Sequence, residues 1–372
     1  MTDTTIGTTT NGPTATTDSA TDAGTGLDLD AALERLPKVE IHCHVEGAIR
    51  PTTVIELATK HGLRLPTEDP TELYQYTSLT TFLEVFFMIQ ESVGAREDWT
   101  RIAYESMEDG AAHGRVYAEM FFTPARLIAN GQALADIVAG LDEGLVAAEA
   151  DLGVRGMLIC DVDRAFGPGP ALEMATELAR LRAIGAPGME RVLGMGLDST
   201  EIGVDPKSFA AAFDVARAAG FRITAHQGED SGPDAIADAV DVLGAERIDH
   251  GITLGLDPDL LARFVDEQIP LTMCPNSNIR IANRYERLED HPLAGYRAAG
   301  VLATVNTDDP ALTDLDLGYE YRTVAAANGW GWDDMVQVSL DGVAATWLDD
   351  DERAALRARI VSAAEELRPS AA

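Results

Sequence analysis

A chain of 372 residues with 46% hydrophobic side chains has apolar material for one large domain or two small ones, and α/β barrels commonly reach this length undivided. Its formal net charge of −34 repels nucleic-acid phosphates and anionic lipid, which excludes both as expected partners and suits a soluble enzyme acting on a neutral or cationic small molecule. Three widely spaced cysteines (Cys43, Cys160, Cys274) form no C-x-x-C pair, so a reducing, cytoplasmic compartment is expected.

Residues 1–26 are rich in Thr, Ala, Asp and Gly and hold almost no large apolar side chain. They cannot bury enough surface to offset ordering entropy and read as a disordered tail. The tail has neither the basic start nor the apolar run of a secretory signal, and no stretch of about 18 apolar residues predicts a membrane span. The folded part is expected as a single domain over residues 27–372, opening with a short helix over 30–36.

The stretch Val39-Glu40-Ile41-His42-Cys43-His44-Val45-Glu46-Gly47 then reads as a buried strand ending at a glycine turn. Residues two apart on a strand share a face, so His42 and His44 project together, as a pair of metal ligands or as two hydrogen-bonded core histidines. Seven further strand-like runs lie near residues 116–121, 155–161, 193–197, 222–225, 247–249, 271–274 and 302–306. Between most of them are Ala-, Leu- and Glu-rich helical stretches, such as 171–183, 206–219 and 258–267. This alternation predicts parallel β–α units, and eight of them favour a closed (β/α)8 TIM barrel. No G-x-G-x-x-G follows any strand, so a dinucleotide fold has no support.

Two places break the rhythm. About 70 residues separate the first two strands, too many for one crossover helix. Within them, residues 81–89 carry an apolar cluster at helical spacing, either a helix packed on the barrel or an aromatic lid over its mouth. After the last strand, extra helices over 334–340 and 350–367 should pack outside. His61 and His113 are given no role.

Barrel chemistry collects at the carboxyl ends of the strands. There the first strand carries His42 and His44, the fifth runs into His226-Gln227-Gly228-Glu229, the sixth ends at His250, and the eighth ends at Asn306-Thr307-Asp308-Asp309-Pro310. His42, His44, His226 and Asp308 suit one divalent ion of the zinc class with a position left for water, whose pKa would fall towards about 7. His250 is then free to act as base or to orient the nucleophile, Glu229 to deliver a proton, and Asp309 to hold substrate. A binuclear site bridged by a carboxylated lysine is disfavoured, because the fourth strand runs into Asp198-Ser199-Thr200-Glu201 and the three lysines (Lys38, Lys60, Lys207) lie elsewhere. His44-Val45-Glu46 mimics half of the cytidine-type zinc signature, but its C-x-x-C half is missing.

At these residues the chain resembles the adenosine/adenine deaminase family of the amidohydrolase superfamily. The resemblance spans about residues 36–348 and rests on Pro37-Lys38-Val39-Glu40-Ile41-His42-Cys43-His44 with Gly47, on His226-Gln227-Gly228-Glu229, on Arg247-Ile248-Asp249-His250-Gly251, on Cys274-Pro275-x-Ser277-Asn278 and on Asn306-Thr307-Asp308-Asp309-Pro310. It implies a barrel with one Zn2+ held by His42, His44, His226 and Asp308. Glu229 would protonate purine N1, His250 would assist the attacking hydroxide and Asp309 would contact N7. Glu46, where adenosine enzymes usually carry Asp, and Ser199, in place of a glycine whose backbone touches the purine, look like the adenine-specific branch. Ala48-Ile49-Arg50-Pro51 and the segment with Asp316 and Tyr319-Glu320-Tyr321 look like adenosine deaminases, and Gln227 adds a polar group beside the metal that fits neither. The expectation leans to deamination of adenosine and deoxyadenosine, with adenine or a modified aminopurine as the alternative. The sequence leaves the oligomeric state open.

Overall fold

Each apolar run becomes a strand because its β-branched and aliphatic side chains are buried on both faces, the pattern of an all-parallel sheet. The computed structural model describes residues 27–370 except 77–78 and 282–283, so the expected tail over 1–26 lies outside the described residues. The strands are β1 (Lys38–Glu40), β2 (Arg115–Phe122), β3 (Arg155–Asp163), β4 (Val192–Asp198), β5 (Arg222–Gln227), β6 (Arg247–His250), β7 (Leu271–Met273) and β8 (Ala303–Val305). They form one eight-stranded sheet in sequential order, every neighbouring pair parallel. This is the expected TIM-barrel-like α/β fold.

Regular pairing of β1 stops at Glu40, earlier than its sequence suggests. The Ile41 amide donates instead to the Asn306 side-chain oxygen at 2.9 Å. Beyond it the chain shares its hydrogen bonds between the two flanking strands: the Asp308 amide donates to His42 O (3.1 Å), the His44 amide to Asp308 O (2.8 Å), and the Val45 amide to Phe121 O (2.8 Å). Isolated bridges at Cys43–Asp308 and His44–Phe121 therefore close the barrel at its carboxyl end.

The long excursion after β1 holds the helices Pro51–His61, Leu79–Ser92 and Arg96–Ala112. The apolar run over 81–89 is thus a helix. After β8 come Leu317–Asn328, Trp332–Ala345 and Asp350–Leu367. Leu340 and Val343 of Trp332–Ala345 and Ile360 of Asp350–Leu367 cluster with Val39, Tyr117 and Met157, so the last two helices cover the amino ends of the strands. Among the described residues no helix is long and apolar enough to cross a membrane.

Alternation along β2 gives Tyr117, Glu119 and Phe121 one face. Glu119 meets Arg247 of β6 at 2.5 Å, and since β2 and β6 are not neighbours in the sheet, this ion pair crosses the barrel interior. Both side chains are fully buried, with the Arg247 guanidinium 3.9 Å over the Trp347 ring. Removing one partner strands a buried charge, whereas removing both can be nearly neutral. Arg247→Met should therefore lower stability by about 3–5 kcal/mol in equilibrium urea unfolding, and Arg247→Met/Glu119→Leu should recover most of that loss.

Candidate active site

His42 and His44 reach the barrel mouth because the shared hydrogen bonding around Cys43 lays their segment between Phe121 and Asp308. His226 arrives on the inward face of β5, and Asp308 follows β8. Their ligand atoms converge: His226 Nε2 is 3.1 Å from both His42 Nε2 and His44 Nε2, and Asp308 Oδ1 is 3.3 Å from each of the latter two. A tetrahedral ion with bonds of about 2.0–2.1 Å separates its ligands by about 3.3 Å, so the spacing fits a divalent metal. The four residues form a His-His-His-Asp metal site.

Each of these groups is steered from behind. His42 Nδ1 donates to Thr272 O at 2.9 Å, with Thr272 Oγ1 at 3.0 Å, which leaves its Nε2 lone pair for the metal. Thr272 in turn donates to Asp249 Oδ1 at 2.6 Å, and Thr224 to Asp249 Oδ2 at 2.6 Å. Ser277 Oγ donates to Asp308 Oδ2 at 2.6 Å. Phe121 packs among the three imidazoles, its ring centroid 5.1–5.2 Å from each. Burial works against the Asp308 carboxylate, but the imidazoles of His42 and His44 hold its pKa well below the ordinary range.

Glu229 and His250 flank this site. Burial, then the carboxylates of Asp308 and Glu201, push Glu229 well above the usual carboxylate range. Burial, then His42, bring His250 down to about 4, so its imidazole is neutral at pH 7. Asn278 joins the two: its amide nitrogen lies 2.9 Å from Glu229 Oε1 and 3.1 Å from His250 Nδ1. An amide N–H donates, so His250 Nδ1 accepts and the proton sits on Nε2, 3.7 Å from Glu229 Oε2. The loop carrying Glu229 wraps a single carboxylate. Glu201 accepts from the amides of Gly228 (2.8 Å), Glu229 (2.9 Å) and Ser231 (3.1 Å).

Asp309 is buried under the cavity with Oδ1 free of any hydrogen-bond partner, and burial followed by Asp308 raises its pKa strongly. Gly47 makes this possible, since a Cβ there would stand 1.7 Å from Asp309 Oδ1. Ser199 lines the same cavity with φ +81°, a left-handed conformation suited to glycine. The Glu46 carboxylate is fully buried; one oxygen accepts from the Thr123 amide at 2.9 Å and Oε2 has no hydrogen-bond partner. One expectation changes. Gln227 faces away from the imidazoles, because it alternates with inward-facing His226, and donates to Glu201 at 2.8 Å.

The cavity over these groups has a volume of ≈ 110 Å³, with Phe82, Phe86 and Phe87 of the Leu79–Ser92 helix among its walls. Seven Asp and Glu residues line it and no Lys or Arg does. Thr272, Asp249, Ser277, Asn278 and Glu201 had no assigned place from the sequence. Asn278, Ser277 and Asp249 lie within recognised motifs, but Thr272 and Glu201 are single polar residues whose partners come from other segments.

The family model described as "Adenosine deaminase" matches residues 37–363. An adenine deaminase of Streptomyces coelicolor is 36% identical over 344 residues, 92% of this chain and 98% of its own. The crystal structure of adenine deaminase from Arthrobacter aurescens superposes with a TM-score of 0.82 at 33% identity, covering 88% of this chain and 98% of that one. An amidohydrolase from Burkholderia ambifaria with bound Zn gives a TM-score of 0.84 at 31% identity, covering 92% and 95%. Fold, metal site and relatives agree, and the chain belongs to the adenosine/adenine deaminase family of the amidohydrolase superfamily as a metal-dependent aminohydrolase of aminopurines.

Proposed function

We propose that the protein hydrolyses the 6-amino group of adenine, giving hypoxanthine and ammonia, with one zinc ion held by His42, His44, His226 and Asp308. The observation that carries this reading is the small acidic cavity over the metal site. At ≈ 110 Å³ it falls below the range of about 300–1,000 Å³ typical of sites for drug-sized ligands, which favours a free base over a base with its sugar. A wall of carboxylates without Lys or Arg offers nothing to a phosphate. The adenine deaminases among the relatives support the same choice, and the lean to adenosine gives way to adenine. Zinc is supported by the imidazole-rich donor set and by the Zn-bound amidohydrolase.

The metal, when bound, acidifies water and so supplies a nucleophile at neutral pH. The remaining work falls to the chain. Glu229, protonated because it is buried among carboxylates, donates to ring nitrogen N1 and makes C6 electrophilic. His250, neutral and fixed by Asn278 with its proton on Nε2, orients the attacking group by donating that N–H to it. Asp309, with a raised pKa, donates to the lone pair of N7. Ser199 abuts the purine edge, and Phe82 and Phe86 exclude water above the ring.

A spectrophotometric screen of the zinc-loaded protein should find kcat/KM for adenine well above that for adenosine or deoxyadenosine. Turnover of adenosine with adenine untouched would return the reading to the nucleoside. Glu229→Gln should lower kcat by about 10²–10⁴-fold with metal content unchanged, and full activity would remove Glu229 as proton donor. Because the pKa of Glu229 is raised, it keeps its proton to higher pH than an ordinary carboxyl and loses it as pH rises further. The pH profile of kcat/KM should therefore show an alkaline limb that is absent from the residual activity of Glu229→Gln.

A further inference from the structure

One group in the barrel interior is left unused. Asp161, near the carboxyl end of β3, is fully buried, and neither of its carboxylate oxygens has a hydrogen-bond partner. Leaving a carboxylate so costs stability, so its position asks for a function. Its location is a built one. β4 carries a glycine alongside, and a Cβ on Gly196 would stand 1.9 Å from Asp161 Oδ1. The sheet thus gives up a side chain to admit this carboxylate.

Two other buried atoms nearby also lack partners: Nδ1 of His44 and Nδ1 of His226. One ring nitrogen each of His44 and His226 lies within 4.8 Å of a carboxylate oxygen of Asp161 and of Asp198, all four atoms mutually. This group is not a second metal site. A neutral imidazole whose Nε2 lone pair faces a metal carries its proton on Nδ1, and an N–H cannot ligate a cation. What such an N–H needs is an acceptor, and metal-bound histidines regularly find one in a carboxylate. His226 Nδ1 has Asp249 Oδ2 at 3.7 Å and Asp198 Oδ1 at 4.0 Å. Thr224 and Thr272 already hold Asp249, and Thr123 and the Ser199 amide hold Asp198. Asp161 alone among the three has both oxygens free.

We propose that Asp161 is a positioning residue for the metal site, accepting the Nδ1–H of His44 and so fixing the tautomer and orientation that aim Nε2 at the ion. The gap is closed by a small rotation of the ring or by one bridging water. The inference rests on the His-His-His-Asp site and is independent of which aminopurine is turned over.

The test separates positioning from folding by sign. In Asp161→Leu, a buried unpartnered carboxylate is removed, so the metal-free protein should melt at the same temperature as wild type or higher. The same variant should bind Zn2+ about 10–100-fold more weakly in competition with a chromophoric chelator. Its Co2+-substituted form should show altered visible bands, because His44 is no longer held in one orientation. Asp161→Asn keeps one acceptor oxygen and should lose less affinity than Asp161→Leu. Gly196→Ala should weaken Zn2+ binding by displacing the carboxylate without deleting it, and it serves where Asp161→Leu does not fold. Zn2+ affinity within twofold of wild type in Asp161→Leu and Asp161→Asn, or a metal-free Asp161→Asn that melts well below wild type, overturns the proposal. Neither result bears on the choice between adenine and adenosine, which the substrate screen decides separately.

Discussion

The structure depends on the seam where the eighth strand meets the first. β1 and β8 have no regular ladder between them; the join is made by the amides and carbonyls of His42, His44 and Asp308. Three of the four metal-site residues are therefore also the residues that close the barrel. Backbone hydrogen bonds fix where their Cα atoms lie, and those positions bring Nε2 of both imidazoles within 3.3 Å of Asp308 Oδ1. Ligand geometry here is a consequence of sheet closure, which is why it can be tight with side chains drawn from opposite ends of the sequence. A site carried on loops would need more support to reach the same precision.

Around that seam the chain buries carboxylates and sorts them by neighbour. Asp308 and Asp309 are adjacent, yet the imidazoles beside Asp308 hold its pKa down while burial pushes that of Asp309 up. Burial, with Asp308 and Glu201 beside it, likewise raises the pKa of Glu229, and His250 is kept neutral. Groups of one chemical type are thus driven apart, one accepting a metal and two able to donate protons, which is how one pocket runs acid and base chemistry at a single pH. The charge of −34 matters less to the reaction than this sorting, because surface charge is screened by salt and these groups are not.

Strand positions, the helix over residues 81–89 and the four metal-site residues were legible in the sequence because each signal is local. Apolar runs mark buried strands, period two puts His42 beside His44, and chemistry at strand ends marks the barrel mouth. Hidden from it was what depends on partners across the barrel. Nothing in Thr272 or Asp249 by itself announces that they orient His42. Gln227 reads from the sequence as a polar group beside the metal, although the alternation that turns His226 inward turns its neighbour outward. Asp161 did leave a trace, a lone acid at an inward position of the otherwise apolar run Met157-Leu158-Ile159-Cys160. Periodicity would have placed it inside the barrel, but only the Gly196 neighbour explains how it fits.

Backbone strain follows the same map. Among the described residues five other than glycine have positive φ, and three of them are Ser199, His250 and Asp308. Such conformations cost of order 1–3 kcal/mol each for residues with a Cβ and persist only where surrounding contacts over-determine them. Here the contacts are identifiable. Asp308 is pinned by backbone bonds on both its amide and its carbonyl, and His250 by Asn278. At Ser199, the amide donates to the side chain of Asp198. Each residue stands at the end of a different strand, β8, β6 and β4, where an extended backbone would carry the side chain past the mouth. The left-handed turn bends it back over the metal site. Glycine would adopt the turn without strain but has no side chain to aim, so at positions 250 and 308 the strain is the cost of placing a functional group where the strand itself would not put one.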